Sequence, residues 1–508
     1  MKPILSLFLA ISIFNFSLKA QMPNASSNFY NVKNAGAKGN GTDMDTRFIN
    51  ATIDEAAKAG GGTVFFPAGN YLCGSIHLKS NITLYLDNGA TLIAAPAENQ
   101  DEYDLPENKI DNMYEDFGHR HWHNSLIWGE NLHDIAIIGQ GMIWGKGLVK
   151  SNKGEDDKSP NKSISLYDCR NVTIRDITML HSGWFSLLAT GVDHLTVDNV
   201  LMDTNRDGMD IDCCQDVKIS NCSVNSPHDD AIVLKSSYGL GFARSTKNVM
   251  ITNCEVSGYD EGSFLDKTYK KSENNRPTGR IKMGTESNGG FQNITISNCV
   301  FDYCGGFALE TVDGAKLEDI TINNITMRDI VNAPIFLRLG SRMRGPAGTP
   351  VGTLRRVIIS NLVAWNVDAK TGAIISGIPG HDIEDISLHD INIYYKGGGT
   401  KMKVEKEAPG LEKAYPEPGR FGELPSYGFF IRDVDGIQFQ NINLHLMNDD
   451  LRPAFVLDSV KNADFRFVST PSVKDVPFVY FKNAENVNLF QSFGKKDITF
   501  KNPVDIKL

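Results

Sequence analysis

One phrase of about nine residues recurs along the 508-residue chain and restricts the folds available to it. It consists of an apolar residue, Thr or Ser and a second apolar residue, then one or two polar residues that usually include Asn, then apolar residues again. Copies begin at Asn171, His194, Asp216, Asn248, Asn293, Asp319, Arg356, Asp385 and Gly436, with a variant at Asp134. Neighbouring copies lie 22 to about 50 residues apart, so loops of different lengths interrupt a basic coil.

The alternation of apolar and polar residues within the phrase is typical of short β-strands, and asparagine tolerates the tight bends between them. No comparably strong helical periodicity lies between the copies, which excludes a barrel of alternating strands and helices. Repeats of this size bury their apolar faces by stacking on one another. The sequence therefore predicts an all-β fold, a right-handed parallel β-helix.

The regions outside the repeats predict a cap and three long loops. Residues 46–59 have the amphipathic pattern of a short helix, which would cover the exposed end of the first coil. Residues 97–124, 258–279 and 396–424 are polar and lack the strand pattern. Long loops on a rigid scaffold commonly build a substrate cleft. We expect residues 21–508 to form a single β-helix domain.

The net charge of −10 argues against partners that carry a dense negative charge. Nucleic acids and anionic membrane surfaces bind basic patches, so neither is expected as a partner. Residues 1–20 combine Lys2, an apolar stretch and Ala20, which is the pattern of a cleaved secretory signal. We therefore expect a secreted or periplasmic protein with no membrane span, acting as a monomer.

The eight cysteines do not have the density of a disulfide framework. Cys222, Cys254 and Cys299 recur at one position of the repeat, which predicts a buried ladder of small residues. Cys213 and Cys214 are adjacent and lack the spacing of a metal site. We expect neither a metal nor another cofactor.

Aspartates are concentrated in two consecutive copies of the phrase. Asp207 and Asp229 each lie 13 residues after the start of their copy. If they share a coil phase, they lie on neighbouring rungs roughly 4.7–4.9 Å apart. Asp210 and Asp230 add two more carboxylates to the same patch. Like-charged neighbours raise the pKa of at least one carboxyl, which is a feature of acid/base sites.

Two motifs around these aspartates resemble glycoside hydrolase family 28, the polygalacturonases and their relatives. The family's Asn-Thr-Asp-Gly motif stands here as Asn205–Gly208, with Arg206 in place of the threonine. Its Gly-Asp-Asp motif, followed by an apolar stretch and a lysine, stands as His228–Lys235. Together with the segments NVKNAGAKGNGTDMDTRFINATIDEA, FFPAGNY and IIGQGMIWGKG, the resemblance covers roughly residues 30–450.

The resemblance implies a pectin-lyase-like catalytic β-helix that hydrolyses glycosidic bonds with inversion. It assigns Asp229 as the general acid, and Asp207 and Asp230 as the residues that hold and deprotonate the attacking water. Asn205 and Lys235 carry over as substrate-binding residues. His228, beside the acid pair, is a candidate to replace a histidine that the family carries elsewhere.

The chain departs from the family at two places. Gly279 or a close neighbour stands where the family has the histidine of Gly-His-Gly. One coil later the family has an Arg-Ile-Lys motif that grips a galacturonate carboxylate, but this chain reads Phe307–Thr311, FALET. Arg280 and Lys282 lie on one face of a predicted strand, where they would form a displaced carboxylate clamp. The alternative is a solvated strand face.

These features predict an enzyme that hydrolyses an acidic, uronate-containing polysaccharide such as a pectin, a rhamnogalacturonan or an ulvan. Two other functions fit the same residues. One is a polysaccharide lyase on the same β-helix, and the other is a non-catalytic carbohydrate-binding β-helix. For the three aspartates themselves, the alternative to catalysis is a structural calcium site.

Two further clusters allow more than one interpretation. The histidines of the segment HRHWH, residues 119–123, could ligate zinc, but a loop that offers Trp122 as a platform for a sugar ring fits the composition better. Arg338, Arg342 and Arg344 are expected to lie in a solvated loop.

Overall fold

The computed structural model describes residues 28–99, 102–107, 114, 121–150, 159–273, 276–400 and 408–508. The predicted signal at residues 1–20 lies outside these ranges. Within them the chain winds as a right-handed parallel β-helix, as predicted, with one α-helix and 35 strands. Each coil has three strands, so the solenoid has three faces.

The strands divide among the faces by their pairing. The first face is formed by β1 (Phe29–Asn31), β3 (Gly62–Phe66), β6 (Ile82–Leu86), β9 (His133–Gly139), β12 (Arg170–Arg175), β15 (Asp193–Asp198), β18 (Gln215–Ser220) and β21 (Thr246–Thr252). The second face is formed by β2 (Asn40–Met44), β4 (Gly69–Cys73), β7 (Ala90–Ala94), β10 (Met142–Trp144), β13 (Thr178–Leu180), β16 (Leu201–Asp203), β19 (Ser223–Asn225) and β22 (Glu255–Ser257).

We call the third face the groove face. It is formed by β5 (Ile76–His77), β8 (Ser125–Glu130), β11 (Lys162–Tyr167), β14 (Phe185–Thr190), β17 (Asp207–Asp212), β20 (Ile232–Ser236), β23 (Ile281–Ser287), β25 (Phe307–Thr311), β27 (Ile335–Leu339) and β29 (Ala373–Ser376). In later coils neighbouring faces merge into long strands: β24 (Phe291–Asp302), β26 (Lys316–Arg328), β28 (Thr353–Val367), β30 (Ile383–Tyr395), β31 (Phe429–Leu446), β32 (Phe455–Arg466) and β33 (Val479–Phe490).

The repeated phrase spans two strands rather than one. Its first residue and its central asparagine both have positive φ, for example Asn171 at 55° and Asn199 at 52°. Asn and Asp reach this left-handed region more easily than other non-glycine residues. The central asparagines also form a ladder, in which Asn253 Nδ2 donates to Asn221 Oδ1 at 3.3 Å and Asn324 Nδ2 to Asn298 Oδ1 at 3.0 Å. The turn residues therefore set the corner of every coil.

The core runs along the axis of the solenoid, where inward side chains of successive coils stack. Cys222, Cys254 and Cys299 are buried free thiols at equivalent rungs, as the repeat predicts. The predicted cap is helix α1 (Thr46–Lys58), which buries Ile49 and Ile53 against the first strands. At the other end β34 (Ile498–Phe500) and β35 (Val504–Lys507) pair antiparallel with β33 and close the sheet.

The groove face differs from the other two because its strands are buried on both sides. Every residue of β17, β20, β23 and β25 is buried, whereas burial alternates along strands such as β6. At one end Trp122 packs outside Phe185 and Leu188, and at the other Phe421 packs outside Phe336. The groove is therefore covered at both ends, and between them the partly exposed side chain of Asp229 marks a window.

The predicted loop regions are free of strands wherever they are described. Residues 408–424 contain one 3₁₀ turn, Pro418–Phe421, and cover one end of the groove. No helix in the described ranges combines the length and apolar content needed to cross a bilayer.

Candidate active site

Three carboxylates meet on the groove face. Asp207 begins β17, and Asp229 and Asp230 lie in the turn just before β20. Each of the three offers an oxygen within 4.8 Å of the others. Asp207 and Asp230 are almost fully buried, while the side chain of Asp229 is 27% exposed. Asp229 is thus the member of the cluster that a ligand in the groove reaches most easily.

The predicted alignment of Asp207 with Asp229 is wrong by one residue. Strands β15 and β18 pair with an offset of 22 residues, but β17 and β20 pair with an offset of 23, Met209 opposite Ile232. The Gly208 N–H donates to Asp230 O at 3.1 Å, so Asp207 aligns with Asp230. The extra residue lies in the turn before β20, where Asp229 is displaced toward the groove. The carboxylates meet nevertheless, because side chains span this distance.

Two cations from the next rung hold Asp230. Arg280 Nε donates to Asp230 Oδ1 at 2.6 Å, and Lys282 Nζ lies 3.3 Å from Asp230 Oδ2. Burial alone would raise the pKa of Asp230, but Arg280 and Lys282 outweigh burial and lower it. Asp230 is therefore ionised. Both cations occupy the predicted strand face, but in this structure they bind a catalytic carboxylate candidate rather than solvent.

The surroundings of Asp207 shift its pKa in the opposite direction. Its burial raises its pKa well above the usual range, and the neighbouring charges of Asp229 and Asp210 raise it further. Asp207 therefore favours its protonated form. The family resemblance implies a proton on Asp229 and ionised carboxylates at Asp207 and Asp230. The lowered pKa of Asp230 agrees with this expectation, whereas the raised pKa of Asp207 is opposite to it.

Arg206, the residue that replaces the family's threonine, contacts the carboxylates of Asp229 and Asp207. Its Nη2 donates to Asp229 Oδ2 and is 3.6 Å from Asp207 Oδ2, and its Cζ lies 4.9 Å from the ring centroid of Trp184. The other oxygen of Asp229, Oδ1, accepts from the Asp230 N–H at 3.1 Å. Both oxygens of Asp229 thus accept from nitrogen donors. The motif contains Arg206, but its contact with Asp229 depends on the turn geometry.

A second ionic layer lies deeper along the groove face. Lys235 Nζ is 3.6 Å from Asp210 Oδ2 and 3.3 Å from Glu286 Oε2, so these buried acids raise its pKa although burial opposes them. Lys282 Nζ is also 3.6 Å from Glu310 Oε2. Burial raises the pKa of Glu310 to about 7, although Lys282 and Arg280 oppose the shift. Lys235 thus forms ion pairs with acids in the floor of the site. Its ammonium is not directed at the groove alone.

Residues 408–424 contribute two groups that the sequence did not predict. Glu417 Oε2 accepts from Arg280 Nη2 at 3.1 Å, and its Oε1 accepts from Asn332 Nδ2 at 3.1 Å. Lys282 Nζ donates to Tyr415 Oη at 3.4 Å. The segment has no repeat that would place it against a particular rung, so sequence periodicity carries no signal for these contacts.

The remaining predicted binding residues flank the acids. The Asn205 Oδ1 is buried and, within the described ranges, accepts no hydrogen bond, whereas His228 is exposed and its N–H donates to Asn205 O at 3.2 Å. Gly279 occupies the position predicted to replace the family's histidine. Its φ is 48°, its N–H donates to Asp229 O at 2.9 Å, and an added Cβ would lie 2.3 Å from Ser257 O. The backbone there excludes any side chain.

The three aspartates are also a set of oxygen ligands suited to a cation. Arg206, Arg280 and Lys282 already contact their carboxylates. The positive charge that a bound cation would supply is thus provided by side chains of the chain itself.

Two predictions about the surroundings are wrong. Arg338 is buried and donates to Ser376 Oγ at 2.7 Å, while Arg342 Nε donates to Asp313 Oδ1 at 3.0 Å, so this cluster is not a solvated loop. Trp122 is buried, with its Nε1 donating to Thr190 Oγ1 at 3.2 Å, and cannot act as a sugar platform. The sequence periodicity around Arg338, Arg342 and Trp122 gave no indication that neighbouring loops cover these side chains.

Of the histidines beside Trp122, one bonds a main-chain carbonyl of its own loop and the other a carboxylate of β8. His121 Nδ1 lies 3.1 Å from Glu107 O, and His123 Nε2 lies 3.0 Å from Glu130 Oε2. His119 lies outside the described residues. The two described histidines therefore anchor the loop that covers this end of the groove.

Comparison with known proteins agrees with this architecture. Residues 29–118 match the family profile "Rhamnogalacturonase A/epimerase, pectate lyase-like". A probable polygalacturonase from Vitis vinifera is 24% identical over 392 residues, which are 72% of this chain and 74% of that protein.

Two solved structures share the fold at 16% identity. The exopolygalacturonase from Thermotoga maritima matches with a TM-score of 0.58 over 94% of this chain and 95% of its own. The family 28 exopolygalacturonase from Yersinia enterocolitica matches with a TM-score of 0.63 over 86% of this chain and 78% of its own. The predicted resemblance is confirmed: this chain is similar, at low identity, to polygalacturonases and shares the fold of family 28 exopolygalacturonases.

Proposed function

We propose that this protein is a glycoside hydrolase that cleaves glycosidic bonds in an acidic, uronate-containing polysaccharide such as a pectin, a rhamnogalacturonan or an ulvan. The observation that carries the proposal is the cluster of Asp207, Asp229 and Asp230 on the floor of a groove. Arg206, Arg280 and Lys282 surround this cluster in a protein of net charge −10. Arg280 and Lys282 are buried against Asp230, so Arg206, whose side chain is 17% exposed, is the cation of this cluster that can pair with the carboxylate of an anionic ligand.

In the proposed reaction Asp229 is the general acid. It gives its proton to the glycosidic oxygen as the bond from that oxygen to C1 breaks, and the water oxygen forms the new bond to C1. The proton of the water passes to Asp230, which is ionised and therefore able to accept it. Asp229 is favoured over Asp207 as the acid because Asp229 is exposed to the groove and Asp207 is buried. Asp207 then helps to hold the water.

We propose a single displacement with inversion. A retaining enzyme needs a carboxylate free to attack C1. Asp230 is only 2% exposed, so it acts on C1 through a water molecule rather than directly, and Asp207 favours its protonated form. A water molecule held by these groups is therefore the better nucleophile. The carboxylate oxygens lie within 4.8 Å of one another. That is nearer to the roughly 5–5.5 Å of retaining pairs than to the roughly 6.5–9.5 Å of inverting pairs, and the configuration of the first product decides between the two routes.

The covered ends of the groove favour attack at chain ends. Trp122 closes one end against Leu188, and Phe421 closes the other against Phe336. A long polymer would have to cross both walls to lie along the groove face. We therefore propose that the enzyme binds a terminal sugar in the window and releases short products. We also propose that residues 1–20 direct export and that residues 21–508 form one catalytic domain.

The first prediction concerns the products. Incubation with polygalacturonate, rhamnogalacturonan and ulvan should release reducing ends from at least one polymer without new absorbance near 230 nm. The reason is that hydrolysis adds water, whereas a lyase leaves a carbon–carbon double bond that absorbs in the ultraviolet. Absorbance that rises with reducing ends would instead identify a lyase. Sugar binding with no reducing ends from any polymer would identify a non-catalytic binding protein.

The second prediction concerns the anomeric configuration. Proton NMR during the first minutes of reaction should show the anomer opposite to that of the cleaved bond, before mutarotation mixes the two. This result is expected because water attacks from the face opposite the leaving group. Initial formation of the same anomer as in the substrate would contradict the single displacement, while leaving hydrolysis itself intact.

A further inference from the structure

Arg206 blocks the group that the proposed reaction needs as its acid. Its guanidinium holds Asp229 Oδ2, and the Asp230 N–H holds Asp229 Oδ1. Two N–H donors thus occupy the two oxygens from which Asp229 would deliver a proton, and the guanidinium competes with a glycosidic oxygen for Oδ2.

The surroundings of Arg206 fit a side chain that changes partner without leaving the groove. Its Cζ lies 4.9 Å from the centroid of the Trp184 ring, which favours a guanidinium over the ring face. Its Nε is buried and, within the described ranges, has no hydrogen-bond partner. A buried donor without a partner is costly, so the contact with Asp229 leaves binding capacity unused.

The turn itself is fixed. Ser226 Oγ lies 2.6 Å from Arg206 O and 2.9 Å from Asp229 O, so one hydroxyl joins the two turns that carry these side chains. Any exchange of partners is therefore a movement of the Arg206 side chain and not of the backbone.

From these contacts we propose that Arg206 is a substrate-responsive positioning residue. The carboxylate of the uronic acid next to the scissile bond takes the guanidinium from Asp229, and the released Asp229 oxygen then binds a proton from a buffer acid or hydronium ion of the solvent, to which Asp230 returns the proton of the attacking water after each turnover. Binding of an anionic sugar thereby switches the acid on, and a neutral sugar leaves it held. This inference rests on the proposed hydrolysis of uronate-containing chains and extends it to the choice of substrate.

The charged groups around Arg206 support an exchange between anions. Asp207, Asp210 and Asp229 surround the guanidinium and raise its pKa, although burial opposes them. Lys150 is close enough to these groups for burial and Arg206 to lower its pKa. Arg206 thus keeps its charge, and a substrate carboxylate competes with Asp229 for a permanent cation.

The third prediction compares Arg206→Met and Arg206→Lys with the parent enzyme on trigalacturonic acid and on its methyl ester, which has the same backbone without charge. Arg206→Met should lower kcat/KM for the acid about 10- to 100-fold, since a hydrogen bond to a charged group is lost. The methyl ester, with which Asp229 stays held in the parent, should be cleaved faster by Arg206→Met than by the parent, because methionine no longer holds Asp229 Oδ2. Arg206→Lys should recover part of the discrimination.

The matched control is Arg175→Met, which removes an exposed arginine paired with Asp176. Equal losses on both substrates would overturn the inference and leave Arg206 a structural residue. Calorimetric binding of the same two ligands to the parent and to Arg206→Met distinguishes failure of the Arg206 inference from failure of the proposed hydrolysis. An inactive parent that still prefers the acid through Arg206 refutes hydrolysis alone, and a parent that shows no preference refutes the inference.

Discussion

Replacing Asp229 or Asp230 with asparagine is expected to reduce hydrolysis of the natural polymer about 10²- to 10⁴-fold, the usual contribution of a general acid or base. Asparagine keeps the shape of the side chain but can neither deliver nor accept the proton. The two residues lie within 4.8 Å of each other, yet their roles differ, because Asp230 is held ionised by two cations and Asp229 faces the groove. Reducing-sugar release by each variant measures the loss.

A substrate whose leaving group needs no protonation distinguishes the role of the general acid from that of the general base. A glycosyl substrate with a dinitrophenyl leaving group departs without protonation, so Asp229→Asn should recover most of its activity on it. Asp230→Asn should stay inactive because its water is still not deprotonated. Recovery by Asp207→Asn instead of Asp229→Asn would contradict the assignment of the acid.

The control for these variants is Asp216→Asn. Asp216 lies at the start of a neighbouring coil, is partly exposed, and accepts from Asn248 Nδ2 at 2.8 Å. Asparagine tolerates its positive φ of 58° as well as aspartate does. Full activity in this variant would show that the losses come from the cluster and not from substitution of an aspartate in the coil.

The fold was predictable because the solenoid is local and periodic. The residues that bend the chain, such as Asn171 and Asn221, recur in the sequence with the strands that they connect. The register was predicted less well, since a single extra residue before β20 moves Asp229 out of line with Asp207 without altering the pattern around it. A one-residue shift within a turn is invisible to periodicity.

The side chains that form the site were predictable only where they belong to a sequence motif. The three aspartates come together as the motifs suggested. Arg280 and Lys282, expected either to clamp a substrate carboxylate or to face solvent, instead bind Asp230. Glu417 reaches Arg280 from 137 residues away, along a segment with no repeat, and no local pattern indicates that contact. Burial of Trp122 has the same cause, because the covering loops are placed by tertiary packing.

The second large effect is expected from Lys282→Met, which should destabilise the protein by about 3–5 kcal/mol at pH 8. The Lys282 ammonium is buried between two acids, 3.3 Å from Asp230 and 3.6 Å from Glu310. When Lys282 is replaced, Asp230 still pairs with Arg280. Within the described ranges, no other cation lies within 4.0 Å of Glu310. The shift of the guanidinium unfolding midpoint measures the loss. Lys461→Met, which breaks an exposed pair with Asp382, should cost less than about 1 kcal/mol.

The pH dependence of this loss identifies Glu310 as its origin. Burial raises the pKa of Glu310 from 4.5 to about 7, so the folded state binds this proton more tightly than the unfolded state. Stability from this group is therefore present below pH 4.5 and is lost as the pH rises toward 7, by about 2–3 kcal/mol. At pH 5 Glu310 is neutral, and Lys282→Met should cost less than at pH 8. Adding Glu310→Gln should restore most of the stability at pH 8, because no unpaired buried charge remains there. Equal losses at both pH values, or no rescue by glutamine, would place the destabilisation on Asp230 instead.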